Sequence, residues 1–288
     1  MGSGQMEGKL VAVTGANAGM GLATVVELAR MGAEVVMICR SRSRGEAALA
    51  RAKEESGSKA ITLMLCDLGS FASIRGFAEA FRNRYDRLDV LVNNAGVVSL
   101  KRQSTEDGYE LMIGVNHLGH FLLTGELLPC LLRAEQGRIV NVSSGAHKIG
   151  RIRYDDPWML SGVNVVNGYA RSKLANILFT KELARRLQGT KVTVNALHPG
   201  AVATDIGVDR KSGFGKSVHR LLKPFFRTPL EGAATAIYLA SSPDAARMTG
   251  LYLIDGSPAR VAGTASDEGE AARLWAWSEA QTGAVYSL

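Results

Sequence analysis

The chain has 288 residues, 46% of them apolar and 21% charged, proportions of a globular protein that buries a substantial core as one large or two small domains. Its 34 basic and 27 acidic residues leave a net charge of +7, which favours anionic ligands or surfaces but says nothing about fold. No apolar run reaches the roughly 18 residues of a membrane-spanning helix, and residues 1–7 read as a disordered lead with no secretory pattern.

Residues 8–288 show no internal repeat, low-complexity tract or dividing linker, so they are expected to form one domain. Leu10-Val11-Ala12-Val13 is a short apolar run rich in β-branched residues, which predicts a strand. Thr14-Gly15-Ala16-Asn17-Ala18-Gly19-Met20-Gly21 follows at once, and helical spacing runs from Leu22 to Met31. A strand, a glycine-rich turn and a helix N-terminus make a dinucleotide pyrophosphate cradle. Glycine lets the backbone come close, and unpaired N–H groups face the phosphates. Gly15, Asn17, Gly19, Met20 and Gly21 are therefore candidate cofactor contacts. Their spacing departs from the commoner G-x-G-x-x-G, and a plain tight turn is the alternative.

A second strand, residues 34–39, ends where an NAD site usually carries an acid for the ribose 2′-hydroxyl. Arg40-Ser41-Arg42-Ser43-Arg44 stands there instead. A 2′-phosphate favours a planar, permanently charged donor, so Arg40 first and Arg44 second point to NADP(H); a solvated basic helix start is the other reading. Residues 60–65 form a third strand closed by Cys66-Asp67-Leu68. Asp67 is placed either to meet adenine or to cap the helix that begins near Ser70. Val90-Leu91-Val92 forms a fourth strand and runs into Asn93-Asn94-Ala95-Gly96. Strands alternating with helices predict an α/β fold, a single Rossmann-type doubly wound parallel sheet of about seven strands with helices on both faces. Ligands of such sheets collect at the carboxyl ends of the strands, where all these motifs lie.

Residues 109–128 read as a long helix holding Asn116, a polar amide among apolar neighbours that must find hydrogen bonds if buried. A fifth strand, residues 138–142, ends in Ser143-Ser144. Apolar residues then recur at helical spacing from Tyr169 to Leu187. Tyr169 and Lys173, four apart, share one face. A phenol ordinarily ionises near pH 10, and an ammonium within a few Å pulls that value down. The pair is a candidate proton donor with its tuner; a helix edge with a snorkelling lysine is the bland alternative. A sixth strand, residues 191–197, ends in His198-Pro199-Gly200. Cys39, Cys66 and Cys130 are few, odd in number and widely spaced, which argues for buried thiols in a reducing compartment rather than disulfides or metal ligands.

Thr14-Gly15-x3-Gly19-x-Gly21, Asn93-Asn94-Ala95-Gly96, Asn116, Ser144, Tyr169-x3-Lys173 and Pro199-Gly200 occur in order. Together they resemble the short-chain dehydrogenase/reductase family over roughly residues 9–255. Asn116-His117-Leu118-Gly119-His120-Phe121 and Ser172-Lys173-Leu174-Ala175-Asn176 are similar to its retinol dehydrogenase subgroup. The resemblance implies that Tyr169 donates a proton to a carbonyl and that Ser144 hydrogen-bonds the same oxygen, with Ser143 as the alternative. It implies that Lys173 holds the nicotinamide ribose and acidifies the tyrosine, and that Asn116 positions a proton-relaying water. Asn94, Ala95 and Gly96 would border the adenosine, Asp67 and Leu68 the adenine, and Pro199, Gly200, Val202 and Thr204 the nicotinamide. In reverse the tyrosinate is a general base, and the cofactor carries the hydride. The resemblance also implies a homodimer or homotetramer through the helices of Asn116 and Tyr169.

Retinol-type relatives often carry an N-terminal membrane anchor that is not seen here, which argues against a membrane-resident retinoid role; a cytoplasmic protein, with peripheral membrane association as the other option, is expected. Ser144 and Tyr169 stand further apart than in the wider family. The extra residues include Ile152, Tyr154, Trp158 and Met159, which either wall an apolar pocket or pack as an ordinary loop. Residues 205–228 are basic and apolar: a substrate lid, a peripheral membrane contact through 210–227, or a solvated helix. Residues 229–240 and 266–282 read as helices, 251–255 as a last strand. The expected activity is NADPH-dependent reduction of a bulky apolar carbonyl, retinal-, steroid- or lipid-aldehyde-like; an NADP-binding sensor without turnover is the alternative. Nucleic-acid binding fits poorly, because the basic residues are scattered, and no metal site is read from the chain.

Overall fold

Alternate residues of each central strand feed two different cores, the burial pattern of a sheet covered on both faces. The computed structural model describes residues 4–156, 158–200, 227–261 and 263–287. In it β1 (Leu10–Thr14), β2 (Glu34–Cys39), β3 (Ile61–Leu65) and β4 (Val90–Asn93) alternate with α1 (Gly19–Arg30), α2 (Arg42–Ser56) and α3 (Phe71–Arg84). Val11, Val13, Val35, Met37, Val90 and Val92 face one core with α1 and α2; Leu10, Ala12, Val36, Ile38 and Leu91 face the other with α3.

The second half continues with α4 (Leu111–Ile113), a π turn (Gly114–Leu118), α5 (Gly119–Leu132), β5 (Arg138–Val142), α6 (Val165–Arg186) and β6 (Thr193–His198). After residue 226 come α7 (Pro229–Ser241), β7 (Tyr252–Ile254), β8 (Ser257–Pro258) and α8 (Glu268–Thr282). The strand order is β3-β2-β1-β4-β5-β6-β7-β8. β1 through β7 pair in parallel, and β8 is antiparallel to β7. This is the expected doubly wound α/β sheet with one strand more; two residues are too few to show a period in the sequence. The order reverses between β1 and β4, which opens the crevice used by dinucleotides in such sheets.

Three expectations need correction. Residues 4–7 of the expected lead are held against the domain: Met6 is buried in the core and its N–H donates to Met31 O at 3.0 Å. The helix expected over 109–128 starts at Leu111, because Glu110 caps it, accepting from Met112 N and Ile113 N, and it runs on through the π turn to Leu132 without leaving helical dihedrals. α6 starts ahead of Tyr169, since Asn164 and Asn167 form a capping box. The lid expected over 205–228, apart from its last two residues, lies outside the described residues, as do Val202 and Thr204.

Candidate active site

The glycine turn after β1 is shaped by backbone that tolerates no side chain. Gly15 has φ +64°, and a Cβ there would stand 2.9 Å from Ala95 Cα; a Cβ on Gly21 would meet Gly15 O and lie 2.6 Å from Asn94 Nδ2. Ala18, the N-cap of α1, makes no side-chain cap, so the first N–H groups of the helix are left for a ligand. Asn17 and Met20 line the half-buried rim of this turn. A cradle closed to side chains and rich in backbone donors fits a pyrophosphate.

Asn94 serves this turn structurally. Its Nδ2 donates to Thr14 O at 2.7 Å, and both its N–H and that of Ala95 donate to Thr14 Oγ1 at 2.9 Å. The Arg40 side chain is 60% exposed, with its Nε 4.0 Å from Asp67 Oδ2, so both stand at one edge of the crevice. Asp67 Oδ1 accepts from Gly69 N at 2.9 Å, and Ser70, not Asp67, caps α3. Leu68 is a core residue by its side chain, so its backbone is what it can offer a ligand. Arg44 lies in the first turn of α2, close enough to lower the Cys39 thiol, which burial drives up to about 11.

At the other half of the crevice, Gly96 has Lys173 Nζ and Asn116 Oδ1 within 3.6 and 3.7 Å of where a Cβ would be. The Asn116 carboxamide donates to Ser172 Oγ at 3.0 Å besides holding the backbone of Val97. Both of its amide protons are thus committed, and its backbone carbonyl is engaged as well. The Asn116 carbonyl accepts from His120 Nδ1 at 3.1 Å. The hydrogen-bond pattern therefore leaves His120 Nε2 to accept from the Thr14 hydroxyl at 2.9 Å. Burial holds His120 neutral, its pKa down at about 4. Thr14 and His120 so connect the glycine turn to the π turn, a link that sequence reasoning missed. The spacing of His120 four residues after Asn116 was its one available signal.

Lys173 is buried and donates to Val142 O at 3.0 Å, as does Asn176 Nδ2 at 3.1 Å. Burial lowers the Lys173 ammonium to about 8. Its Nζ stands 5.5 Å from the centroid of the Tyr169 ring. The Tyr169 phenol lies above its ordinary value, raised by burial and lowered again by the Ser144 hydroxyl. Burial, the larger cause, leaves the phenol without the net acidification expected of it. Ser143 is buried and donates to Lys173 O at 2.7 Å, whereas Ser144 opens a 3-10 turn and accepts from Ala146 N. The Ser144 hydroxyl proton is thus the one available beside Tyr169. His198, Pro199 and Gly200 end β6 on the same rim, with Gly200 at φ +79°.

The loop before α6 is held by a pair that the sequence reading overlooked. Glu110 and Arg171 are both buried, and Arg171 Nη1 donates to Met159 O at 2.9 Å. Met159, with φ +52°, and partly buried Ile152 and Tyr154 pack into the cluster of Leu274 and Trp277. This is the packing of an ordinary loop; Trp158, 48% exposed, lies 5.1 Å from the Tyr109 ring at a tilt.

Comparison with known proteins agrees with this geometry. Residues 9–213 match the family model described as short chain dehydrogenase. Human retinol dehydrogenase 14 is 45% identical over 303 residues, covering 97% of this chain and 88% of its own; human retinol dehydrogenase 13 is 44% identical, covering 94% and 83%. The crystal structure of an uncharacterized protein from Mycobacterium Paratuberculosis superposes with a TM-score of 0.79 at 35% identity, covering 98% of this chain and 96% of that one. With its glycine cradle, parallel sheet and Asn-Ser-Tyr-Lys cluster, this chain belongs to the short-chain dehydrogenase family, as a retinol dehydrogenase-like oxidoreductase that transfers hydride with a nicotinamide cofactor.

Proposed function

We propose that this chain reduces a bulky, apolar aldehyde or ketone with NADPH, and runs in reverse when NADP is in excess. The observation that carries the reading is the convergence of Ser144, Tyr169 and Lys173 at the end of β5 and the start of α6. Ser144 and Tyr169 both present hydroxyl protons to a carbonyl oxygen. As that oxygen gains charge, the Tyr169 proton moves onto it and leaves a phenolate, which the Lys173 ammonium is near enough to steady. The reduced nicotinamide, when bound, supplies the hydride. Asn116 holds the Gly96–Val97 backbone against the site, and the buried Lys173 sits beside Gly96, where a ribose hydroxyl would lie.

Preference for the 2′-phosphorylated cofactor rests on Arg40 at the end of β2, with no acid in its place. The printed names of the relatives suggest a retinoid, and steroid ketones and long-chain aldehydes share its chemistry. Among the described residues no helix is long and apolar enough to cross a membrane. The three cysteines are free and buried, which suits a reducing, cytoplasmic setting. Following loss of NADPH absorbance against retinal, a steroid ketone and a long-chain aldehyde tests the reading. Turnover of at least one is expected; tight NADPH binding with no turnover of any would favour the sensor.

A further inference from the structure

α5 and α6 are covered from both sides within one chain. Every residue of α6 from Ala170 to Thr180 is buried, and α5 is buried along most of its length. A helix buried all round needs a second cover opposite the sheet, and α8 with the residues after it provides that cover. Leu274, Trp275 and Trp277 are buried. The Trp275 ring meets Phe121 edge-on at 5.0 Å, Phe179 at 6.1 Å and Tyr286 at 4.5 Å, with the Arg186 guanidinium 4.3 Å above it. Tyr286 donates its hydroxyl to Phe121 O at 2.6 Å and lies against Gly125, where a Cβ would touch its ring at 3.0 Å.

The cover is also polar and directed at the π turn. Ser278 donates to Leu274 O, so it accepts from His117 Nε2 at 2.8 Å, one residue from Asn116. Tyr109 donates to Gln281 Oε1 at 3.0 Å, just ahead of α4. Three aromatic side chains at roughly 150–250 Å² each amount to several hundred Å² of buried surface.

We propose that residues 268–287 take the place of a partner subunit on α5 and α6, so that the chain does not self-associate through these helices. This departs from the homo-oligomer that the family resemblance implies, and it stands whether or not the chain reduces carbonyls. The turn bearing Asn116 is buttressed by the chain's own C-terminal segment.

The test uses the unmodified chain first. Sedimentation velocity is run on it, and an equal mixture of light and heavy-nitrogen chain is treated with a photoreactive cross-linker. Monomeric sedimentation, or inter-chain cross-links confined to other surfaces, is expected. Inter-chain cross-links joining residues 119–132 or 165–186 of two chains would overturn the proposal. In the second arm, Trp275→Ala with Tyr286→Ala opens the cover. Faster amide exchange over residues 114–121 and new self-association through α5 and α6 are expected. A folded double variant that matches the parent in both readouts would show that the tail is not the cover.

Discussion

The Asn116 carboxamide closes the backbone of Val97 on both sides, accepting from its N–H at 2.7 Å and donating to its C=O at 3.0 Å. This reciprocal pair ties the strand end that carries Gly96 to the π turn. Asn116→Ala leaves both backbone groups and Ser172 Oγ short of a partner. An unpaired buried polar group costs about 1–3 kcal/mol, so a loss of about 2 kcal/mol in urea unfolding is expected, together with a fall in turnover. A stability change under about 0.5 kcal/mol would show the pair to be idle.

Tyr169→Phe removes one hydroxyl from a half-buried position and leaves the ring in place. If Tyr169 is the proton donor, kcat falls by about 10²–10⁴-fold, while NADPH affinity, read by fluorescence titration, changes little. Wild-type turnover in the variant would remove Tyr169 from the mechanism.

Lys173 makes stability depend on pH in a defined direction. Its folded-state pKa is lowered from 10.5 to about 8, so between those values the unfolded chain binds more protons than the folded one. Stability from this group therefore rises as pH climbs from about 8 to about 10.5, and below that window burial of the charge works against folding. The full rise is about 3 kcal/mol, at about 1.36 kcal/mol per unit. Lys173→Met should lack it. Parallel pH curves of stability for parent and variant across this window would contradict the assignment.

Arg40→Ala should weaken NADPH binding by roughly 10–100-fold, the worth of a charge-assisted contact at about 1.5–3 kcal/mol. NADH binding should be unchanged, as the 2′-phosphate is what separates the two. Isothermal titration with both nucleotides decides it, and an equal loss for the two would move the specificity elsewhere.

Local patterns carry much of the fold and half of the site. The alternation of β-branched runs with helical spacing is legible because strand and helix periods are properties of neighbouring residues. The glycine turn is legible because positive φ at Gly15 and the close approach at Gly21 demand the smallest residue. β8 and the early start of α6 are not, since one is two residues long and the other depends on a cap that reads as loop. Arg171, lying between Tyr169 and Lys173 in sequence, is inconspicuous until its partners Glu110 and Met159 are folded next to it.

By itself the sequence determined the strand-turn-helix order, the missing acid after β2, and the placing of Tyr169 and Lys173 on one helix face. Each depends on residues close together in the chain. Tertiary structure decided the rest: that Lys173 points at Val142 O and loses basicity, that Asn116 is occupied by Val97, that His120 bridges Thr14 to the π turn, and that α8 and the residues after it cover α6 and α5. These are contacts between distant segments, and burial and hydrogen-bond partners exist only once the sheet has brought those segments together.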